Sequence, residues 1–284
     1  GVNSPDYGDV ILHLCRGHSI DLVVPLIDWE LHVLAAMKDR FADTGTRLLV
    51  SSPRVTRICR DKVGTVKFLQ ESGLGTPRNL SLDEAKKGPF PLIAKDRYGS
   101  SGRNMRQVHH PRTLKRLRNA KNIVIQELVR GTEYTVDVYA GFDGTPRVAV
   151  PRQRLKVRSG EVEKARTVRH QNVIRDSMRL VEVLAECVGV ITVQCRVSRK
   201  SGVKFFDLNP RFGGGVPLSI RAGADFPRWI LEEHLGQPPA IDADAWEENL
   251  YMLRYDAGIF RRGDEMPSKE EAIRAPAGAD QPKS

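Results

Sequence analysis

The sequence has few cysteines, few aromatic residues and no long apolar run. Its 284 residues include four cysteines, and none of them lies in a CxxC or another metal-binding spacing. We therefore expect neither a disulfide framework nor a zinc site, and interpret the four as reduced, mostly buried thiols of a cytoplasmic protein. No stretch approaches the ~18 uncharged apolar residues that a membrane helix needs, and no signal-peptide pattern follows Gly1. Membrane proteins and disulfide-rich secreted domains are thus disfavoured.

The composition is that of a globular chain with an excess of basic residues. Hydrophobic residues make up 40% and charged residues 28%, and the length suggests about two domains. Lys and Arg total 45 against 35 Asp and Glu, giving a net charge of +10 that should attract an anion. A nucleotide, a nucleic acid and an acidic substrate all fit this charge.

The positive charge is concentrated in the middle third of the chain. Residues 97–126 hold eight Lys or Arg and no acid, and residues 147–169 hold eight more against two Glu. Such runs can also be solvated surface. Tyr98 is the single aromatic residue within 97–126, so the stacking platform of single-strand binders is missing and nucleic-acid binding is disfavoured.

Short apolar runs alternate with helical periodicity in the first third. The runs at 20–27 and 47–50 have the length of strands, and 30–40 and 60–71 carry apolar residues at helical spacing. This alternation predicts a parallel sheet with helices. The chain opens on a turn-like segment, as though the first strand–helix–strand were absent, so we expect a partial α/β domain at 1–56.

The middle of the chain predicts a small α+β subdomain at about 76–140. Apolar runs favour strands at 91–95, 122–128 and 133–139, with a short basic helix at 112–121 between the first two.

The last third predicts a helix that leads into a hairpin. Helical spacing covers 173–188, and strands follow at 190–197 and 203–208 around a short turn. A further helix is expected at 218–235. Residues 263–284, which lack periodicity, are expected to be a disordered tail.

Three oxygen-bearing side chains converge on this hairpin. Asp207 and Asn209 leave the same face of their strand, and the turn length puts Gln194 opposite Asp207 to within about one residue. One carboxylate with two amides suits Mg²⁺ held together with nucleotide phosphates. Asp207 and Asn209 could instead only end the strand and cap the next segment. The following NPRFGGG adds a cation, Arg211, and three permissive glycines, as a phosphate site requires.

Two other segments could contact a nucleotide. Lys95 ends a strand just before GSSG at 99–102, where a glycine-rich turn can point N–H groups at a phosphate, although such a turn is often an ordinary loop and lacks P-loop spacing. The strand that ends near Glu127 and restarts at Glu133 can present its edge to a base, or be a plain β connection.

Asp28 and Glu30 follow the first apolar run, at the sheet edge where open α/β sheets bind ligands. They could recognise an amine, or form a helix N-terminus, where acids favour the helix dipole.

Four segments carry these features in a fixed order. They are PLIAKDRYGSSG at 91–102, VIQELVRGTEYTVDVY at 124–139, GVITVQCRV at 189–197 and FFDLNPRFGGGVPLSIRAGADFP at 205–227. Together they resemble the ATP-grasp superfamily, and within it the ligases similar to the large subunit of carbamoyl-phosphate synthase. The resemblance implies an α/β and α+β fold, in which two α+β subdomains clamp ATP behind a partial Rossmann-like pre-ATP-grasp domain. The ATP-grasp domain would span 57–262.

The resemblance also implies roles for individual residues. Lys62 and Lys95 would bind ATP phosphates, and the loop Gly99, Ser100, Ser101 and Gly102 would close over them. The backbone of Glu127, Leu128 and Val129 would contact adenine, and Glu133 would hold the ribose. Gln194, Asp207 and Asn209 would ligate Mg²⁺ (or Mn²⁺). Arg211 would face the transferring phosphoryl group or an acyl-phosphate, and Arg154 would contact substrate or phosphate.

The implied activity is that of a carboxylate–amine (or thiol) ligase. ATP would activate a small carboxylate as an acyl-phosphate, and an amine or similar nucleophile would attack it. An alternative is a non-catalytic, regulatory ATP-binding protein, motivated by the incomplete first domain and by Asp at position 207, where the family more often has Glu. A homodimer, or a partner that completes the N-terminal domain, is a further expectation.

Overall fold

The computed structural model describes residues 4–99, 104–114, 122–158, 160–258, 260 and 262. The chain divides into a compact unit, Gly1–Leu253, and a second unit, Arg254–Ser284. Every helix and strand of the described residues lies in the first unit. The expected tail at 263–284, the loop residues Ser100, Ser101 and Gly102, and most of the helix expected at 112–121 lie outside the described residues.

The first unit is a mixed α/β structure. Its elements in chain order are α1 (Tyr7–Gly17), β1 (Leu22–Val23), α2 (Asp28–Ala35), α3 (Lys38–Ala42), β2 (Arg47–Leu48), α4 (Pro53–Arg60), α5 (Lys62–Glu71), β3 (Asn79–Leu80), α6 (Leu82–Lys87), β4 (Leu92–Asp96), β5 (Arg106–Val108), α7 (Pro111–Leu114), β6 (Ile123–Glu127), β7 (Thr132–Ala140), β8 (Pro146–Arg158), β9 (Glu161–Thr167), α8 (Gln171–Leu184), β10 (Gly189–Ser198), β11 (Gly202–Asn209), α9 (Val216–Arg221), α10 (Phe226–His234) and β12 (Tyr251–Leu253).

The N-terminal segment contains the predicted parallel strand pair. β1 lies beside β2 in parallel, with Leu22 opposite Arg47. β1 has two residues where the apolar run predicted a strand over 20–27, because Pro25 has no N–H to donate to a ladder.

A helix begins inside the opening segment, residues 1–9, that was interpreted as turn-like. α1 starts at Tyr7, so that interpretation is wrong for Tyr7, Gly8 and Asp9. Leu12 and Cys15 recur at helical spacing and are buried in a core shared with α2 and β2. This core lies apart from the core of the large sheet.

Four antiparallel strands in the order β3-β6-β4-β5 form a small sheet with its own core. β4 and β6 confirm the strands predicted at 91–95 and 122–128. The strand at 133–139 was assigned to this subdomain, but β7 lies in the large sheet. Seven consecutive residues of β7 are buried, as expected of a central strand that is covered on both faces.

Six antiparallel strands in the order β11-β10-β7-β8-β9-β12 form the large sheet. α8 packs on one face through Val173, Leu180 and Leu184. α10 packs on the other face through Phe226 and Ile230. β8 and β9 were not predicted, because their basic residues interrupt the apolar alternation that identifies a strand.

The helix predicted at 218–235 is two helices, α9 and α10. Gly223, with φ +112°, turns the chain between them. The Asp225 side chain accepts the Arg228 N–H at 3.2 Å, and Pro227 lies in the first turn of α10, so a new helix begins there.

The four cysteines are free and buried, as predicted. Within the described ranges, no helix has both the length and the apolar character needed to cross a membrane.

Candidate functional site

The predicted metal ligands meet on the β10–β11 hairpin. Gln194 is the register partner of Asp207, which confirms the predicted pairing, and Asn209 lies opposite Thr192. The Asn209 side-chain amide donates to Asp207 Oδ2 at 3.1 Å. Among the described residues, no group of three or more His, Cys, Asp or Glu could hold a metal. A cation here would therefore depend on one carboxylate and two amides.

Two lysines from different elements approach Asp207. Lys62 opens α5, and its Nζ lies 3.6 Å from Asp207 Oδ1 and donates to the Gly99 carbonyl at 2.5 Å. Lys95, on β4, is buried and its Nζ donates to the Phe206 carbonyl at 3.3 Å. The predicted phosphate-binding lysines thus lie together beside the predicted metal ligand.

The pKa values of these groups reflect their mutual charges. Burial lowers the pKa of Lys95 to about 8; Asp207 opposes this shift and Lys62 reinforces it. For Asp207, burial acts to raise the pKa, but Lys62, Lys95, the Asn209 amide and Arg211 together lower it below its ordinary value. Asp207 is therefore ionised at neutral pH.

Arg211 lies against the N-terminal segment. Its Nε and Nη2 donate to the two carboxylate oxygens of Asp28 at 2.7 and 2.8 Å, and its Nη1 donates to the Phe212 carbonyl at 3.0 Å. Asp28 is the first residue of α2. The helix N-terminus interpretation holds for both acids, which lie in the first turn of α2. Glu30 accepts the N–H groups of Leu26 and Ile27 at 2.8 and 2.9 Å, whereas Asp28 also contacts the hairpin through Arg211.

Arg154 and Glu133 lie together further along the sheet. Arg154 Nε is 3.1 Å from Glu133 Oε1, and its other nitrogens donate to Thr135 and to the Gly160 carbonyl. Arg196 also binds Glu133, at 3.1 and 2.5 Å. The predicted ribose acceptor is therefore already paired with two guanidinium groups.

The predicted adenine segment begins at Glu127, the last residue of β6. The Glu127 carboxylate pairs with Lys204, and the Glu127 N–H donates to the Arg78 carbonyl at 3.1 Å. The Val129 carbonyl accepts from Arg196 at 3.1 Å. Arg196 therefore connects this segment, which includes Leu128, to Glu133.

A buried network supports the glycine-rich loop after β11. Arg152 and Asp137 form a bidentate ion pair at 2.8 and 3.0 Å, and both side chains are fully buried. Thr192 and Ser219 donate to the same carboxylate at 3.1 and 2.7 Å. A Cβ on Gly215 would lie 2.1 Å from Arg152 Nη1. Because glycine has no Cβ, the backbone at Gly215 can lie close to the Arg152 side chain. The sequence analysis interpreted this glycine only as part of a phosphate-binding loop and did not predict the contact.

Two open clefts share Asp207 and Asn209. The first, which we call the aromatic cleft, is lined in part by Trp29, His32, Arg60 and Tyr98. The second, the polar cleft, is lined in part by Arg152, Arg154, Arg211, Glu161 and Gln194. Sequence reasoning did not place Trp29, His32 and Arg60 at a cleft, since residues shared between α2 and α4 form no sequence motif.

Two family models match the sequence. Residues 119–256 match the family described as ATP-grasp in the biosynthetic pathway with Ter operon, and residues 1–49 match the PylC-like N-terminal domain. A carbamoyl-phosphate synthase from Methanobrevibacter smithii is 27% identical over 153 residues, which cover 51% of this chain and 40% of that protein.

Solved structures share the fold. A biotin carboxylase–βγ-ATP complex from Campylobacter jejuni superposes with a TM-score of 0.73 at 14% identity, covering 88% of this chain and 63% of that one. The biotin carboxylase domain dimer of the Hydrogenobacter thermophilus 2-oxoglutarate carboxylase, with MgADP, ADP and bicarbonate, gives 0.71 at 14% identity, covering 86% and 60%. This chain thus spans less than two thirds of the length of each. It has the ATP-grasp fold, and its sequence is similar to ATP-grasp proteins over residues 119–256 and to the PylC-like N-terminal domain over residues 1–49.

Proposed function

We propose that the chain is an ATP- and Mg²⁺-dependent ligase that activates a small carboxylate as an acyl-phosphate for attack by an amine or a similar nucleophile. One observation carries the proposal. Lys62 lies 3.6 Å from Asp207, and Lys95 lies close enough for the charges of both residues to act on its pKa. The three residues come from separate elements, and the amide side chains of Gln194 and Asn209 lie on the same hairpin as Asp207. Phosphoryl transfer depends on placing cations and a metal around an anionic group, and this cluster has that distribution of charge.

The donor set fits Mg²⁺ or Mn²⁺. Gln194, Asp207 and Asn209 offer oxygen ligands alone, and Asp207 is ionised at neutral pH. Hard cations prefer such ligands and complete their shell with water and phosphate oxygens. When bound, the ion would neutralise charge on the transferring phosphoryl group.

The protein's own residues would bind and orient the nucleotide. Lys62 and Lys95 would exchange their present partners for ATP phosphates, while the Glu127–Val129 backbone would contact adenine and Glu133 the ribose. The Gly99 carbonyl already accepts from Lys62, which supports a position for Gly99 next to the phosphates. Arg211 and Arg154 line the polar cleft, where they would stabilise an acyl-phosphate.

Proteins of the same fold support this assignment of ligands. The Campylobacter jejuni biotin carboxylase was solved as a βγ-ATP complex, and the Hydrogenobacter thermophilus domain was solved with MgADP and bicarbonate. The second protein is also a dimer, and we include a homodimer of this chain in the proposal. The four free cysteines support a cytoplasmic location, where thiols stay reduced.

Asp207 favours a second candidate function. Its side chain is one methylene shorter than the Glu that the family more often has, so a non-catalytic ATP-binding protein is the alternative. This protein would bind Mg·ATP without turnover.

Phosphate release separates these functions. The protein is incubated with Mg·ATP and a panel of small carboxylic acids, each with and without amines, and inorganic phosphate is measured. Release that requires one acid and one nucleophile supports a ligase. Binding of ATP without release by any pair would support the second candidate, and a failure to bind ATP would contradict both.

A further inference from the structure

We infer that the aromatic cleft binds the second substrate through a carboxylate, with Arg60 as the residue that recognises it. This inference rests on the proposed ligase function and names a chemical class for its nucleophile: an amine or similar nucleophile that also carries a carboxylate group.

The charges of the cleft carry the inference. Four charged side chains line it, and three of them are neutralised: Lys62 and Asp207 by each other, and Asp28 by Arg211. The side chain of Arg60, the last residue of α4, makes no hydrogen bond or ion pair with any residue in the described part of the chain. The cleft therefore presents one uncompensated positive charge.

Aromatic rings hold the Arg60 guanidinium without using its donors. Its Cζ lies 5.9 Å from the Trp29 ring centroid and 5.8 Å from that of Tyr98. These rings come from α2 and from the segment after β4, so they approach the guanidinium from two separate elements. Cation–π contacts orient the plane but satisfy none of the five N–H groups. A planar guanidinium whose N–H donors are free matches the geometry of a carboxylate, and it can bind the two carboxylate oxygens through two parallel hydrogen bonds.

His32 adds a neutral polar group beside Arg60. Burial and the charge of Arg60 lower the pKa of His32, so its ring is uncharged at neutral pH. The residues that line the cleft also include Asp207 and Asn209. A ligand anchored at Arg60 would thus extend toward the proposed site of phosphoryl transfer.

The test compares ligands that differ only in their anionic group. Thermal shift is measured with Mg²⁺ and a non-hydrolysable ATP analogue present, against amino acids, their amides and aminoalkyl phosphates. Stabilisation by one or more amino acids but not by their amides is expected. Stabilisation by the aminoalkyl phosphates alone would show that the cleft recognises a phosphate group and would overturn the assignment of a carboxylate. Equal effects of acids and amides, or no effect of any acid, would also overturn the inference.

Variants then assign the effect to Arg60. Arg60→Ala is expected to raise the half-saturating concentration of the acid at least tenfold, and Arg60→Lys to restore it only in part. Arg57→Ala, one turn earlier on the same exposed helix face, should change nothing. Unchanged acid binding in Arg60→Ala would make Arg60 a solvated helix-end cation. Binding of the ATP analogue is recorded on each sample, so failure of the nucleotide site is distinguished from failure of this inference.

Discussion

Asp28 and Arg211 form a bidentate ion pair across 183 positions of sequence. Both side chains are mostly buried, and the pair fixes the arginine that follows the metal-ligand hairpin to the first residue of α2. The N-terminal segment therefore takes part in the candidate site directly. Asp28 lines the aromatic cleft and Arg211 lines the polar cleft, so the pair lies where the two clefts adjoin.

Asp28→Asn should release Arg211 from this orientation. We expect the unfolding free energy to fall by about 1–3 kcal/mol, because one partner of a largely buried pair is lost. Phosphate release with the cognate substrates should fall by about 10- to 100-fold, since small misplacements of a charged group are costly in catalysis. Urea unfolding and steady-state phosphate assays measure the two effects.

A double-mutant cycle with Arg211→Gln isolates the pair. Asp9→Asn is the matched control, because Asp9 forms an exposed ion pair with Arg40 at 2.6 Å and should contribute less than about 1 kcal/mol. A coupling energy near zero between Asp28 and Arg211 would contradict the account.

Lys95 should make nucleotide affinity depend on pH. Its pKa of about 8 means that the ammonium of the free protein loses its proton as pH rises above that value. An anionic phosphate favours the charged form, so the affinity for an ATP analogue should fall by up to about tenfold per pH unit above pH 8. Titration calorimetry in buffers of different ionisation enthalpy should detect proton uptake there. Lys95→Arg should remove this dependence, and an unchanged pH profile would exclude Lys95 as a phosphate ligand.

The same shift affects the stability of the protein without nucleotide. The folded-state pKa lies below the ordinary value of 10.5, so between about pH 8 and 10.5 the unfolded chain binds the extra proton. The free energy of unfolding should therefore rise with pH through this window. Below about pH 8 Lys95 is charged in the folded protein, and the destabilisation caused by burying its ammonium is fully present. Lys95→Met should lack this rise and lose no stability at pH 7, whereas Lys67→Met, at an exposed position on α5, should behave as wild type. Loss of stability at pH 7 in Lys95→Met would indicate a structural role.

Gly215→Ala should disturb the loop after β11. The new Cβ would lie 2.1 Å from Arg152 Nη1, and Arg152 is held by the buried Asp137. We expect a loss of about 1–3 kcal/mol, as for other overpacked sites, together with weaker phosphate release. Gly17→Ala is the control, since a Cβ there meets nothing within 4 Å. Equal stability of the two variants would show that the loop adjusts freely.

Local patterns predicted much of the fold and part of the site. The Gln194–Asp207 register followed from the length of one turn, and the apolar run predicted a strand at 133–139, where β7 lies. Short-range geometry fixes both features, so the sequence was sufficient.

Contacts between distant segments could not be predicted in this way. Nothing in the sequence around Asp28 indicates that it pairs with Arg211. The Asp137–Arg152 pair depends on β8, and the basic residues and Pro151 of β8 hide the apolar alternation that identifies a strand. The break between α9 and α10 was readable from Gly223 and Pro227, but helical periodicity on both sides obscured it. The roles that the resemblance assigns to individual residues, including Leu128, Ser100, Ser101 and Gly102, all stay predictions.

The central claim is that Asp207 holds a divalent cation for a nucleotide bound by Lys62 and Lys95. The most direct measurement is calorimetric binding of a non-hydrolysable ATP analogue, with and without Mg²⁺, to wild type, Asp207→Asn and the surface control Asp143→Asn. We predict that Mg²⁺ strengthens binding at least tenfold in wild type and in the control, and that Asp207→Asn folds normally but loses this enhancement. An equal effect of Mg²⁺ on Asp207→Asn and wild type, or no binding to wild type at all, would contradict the account.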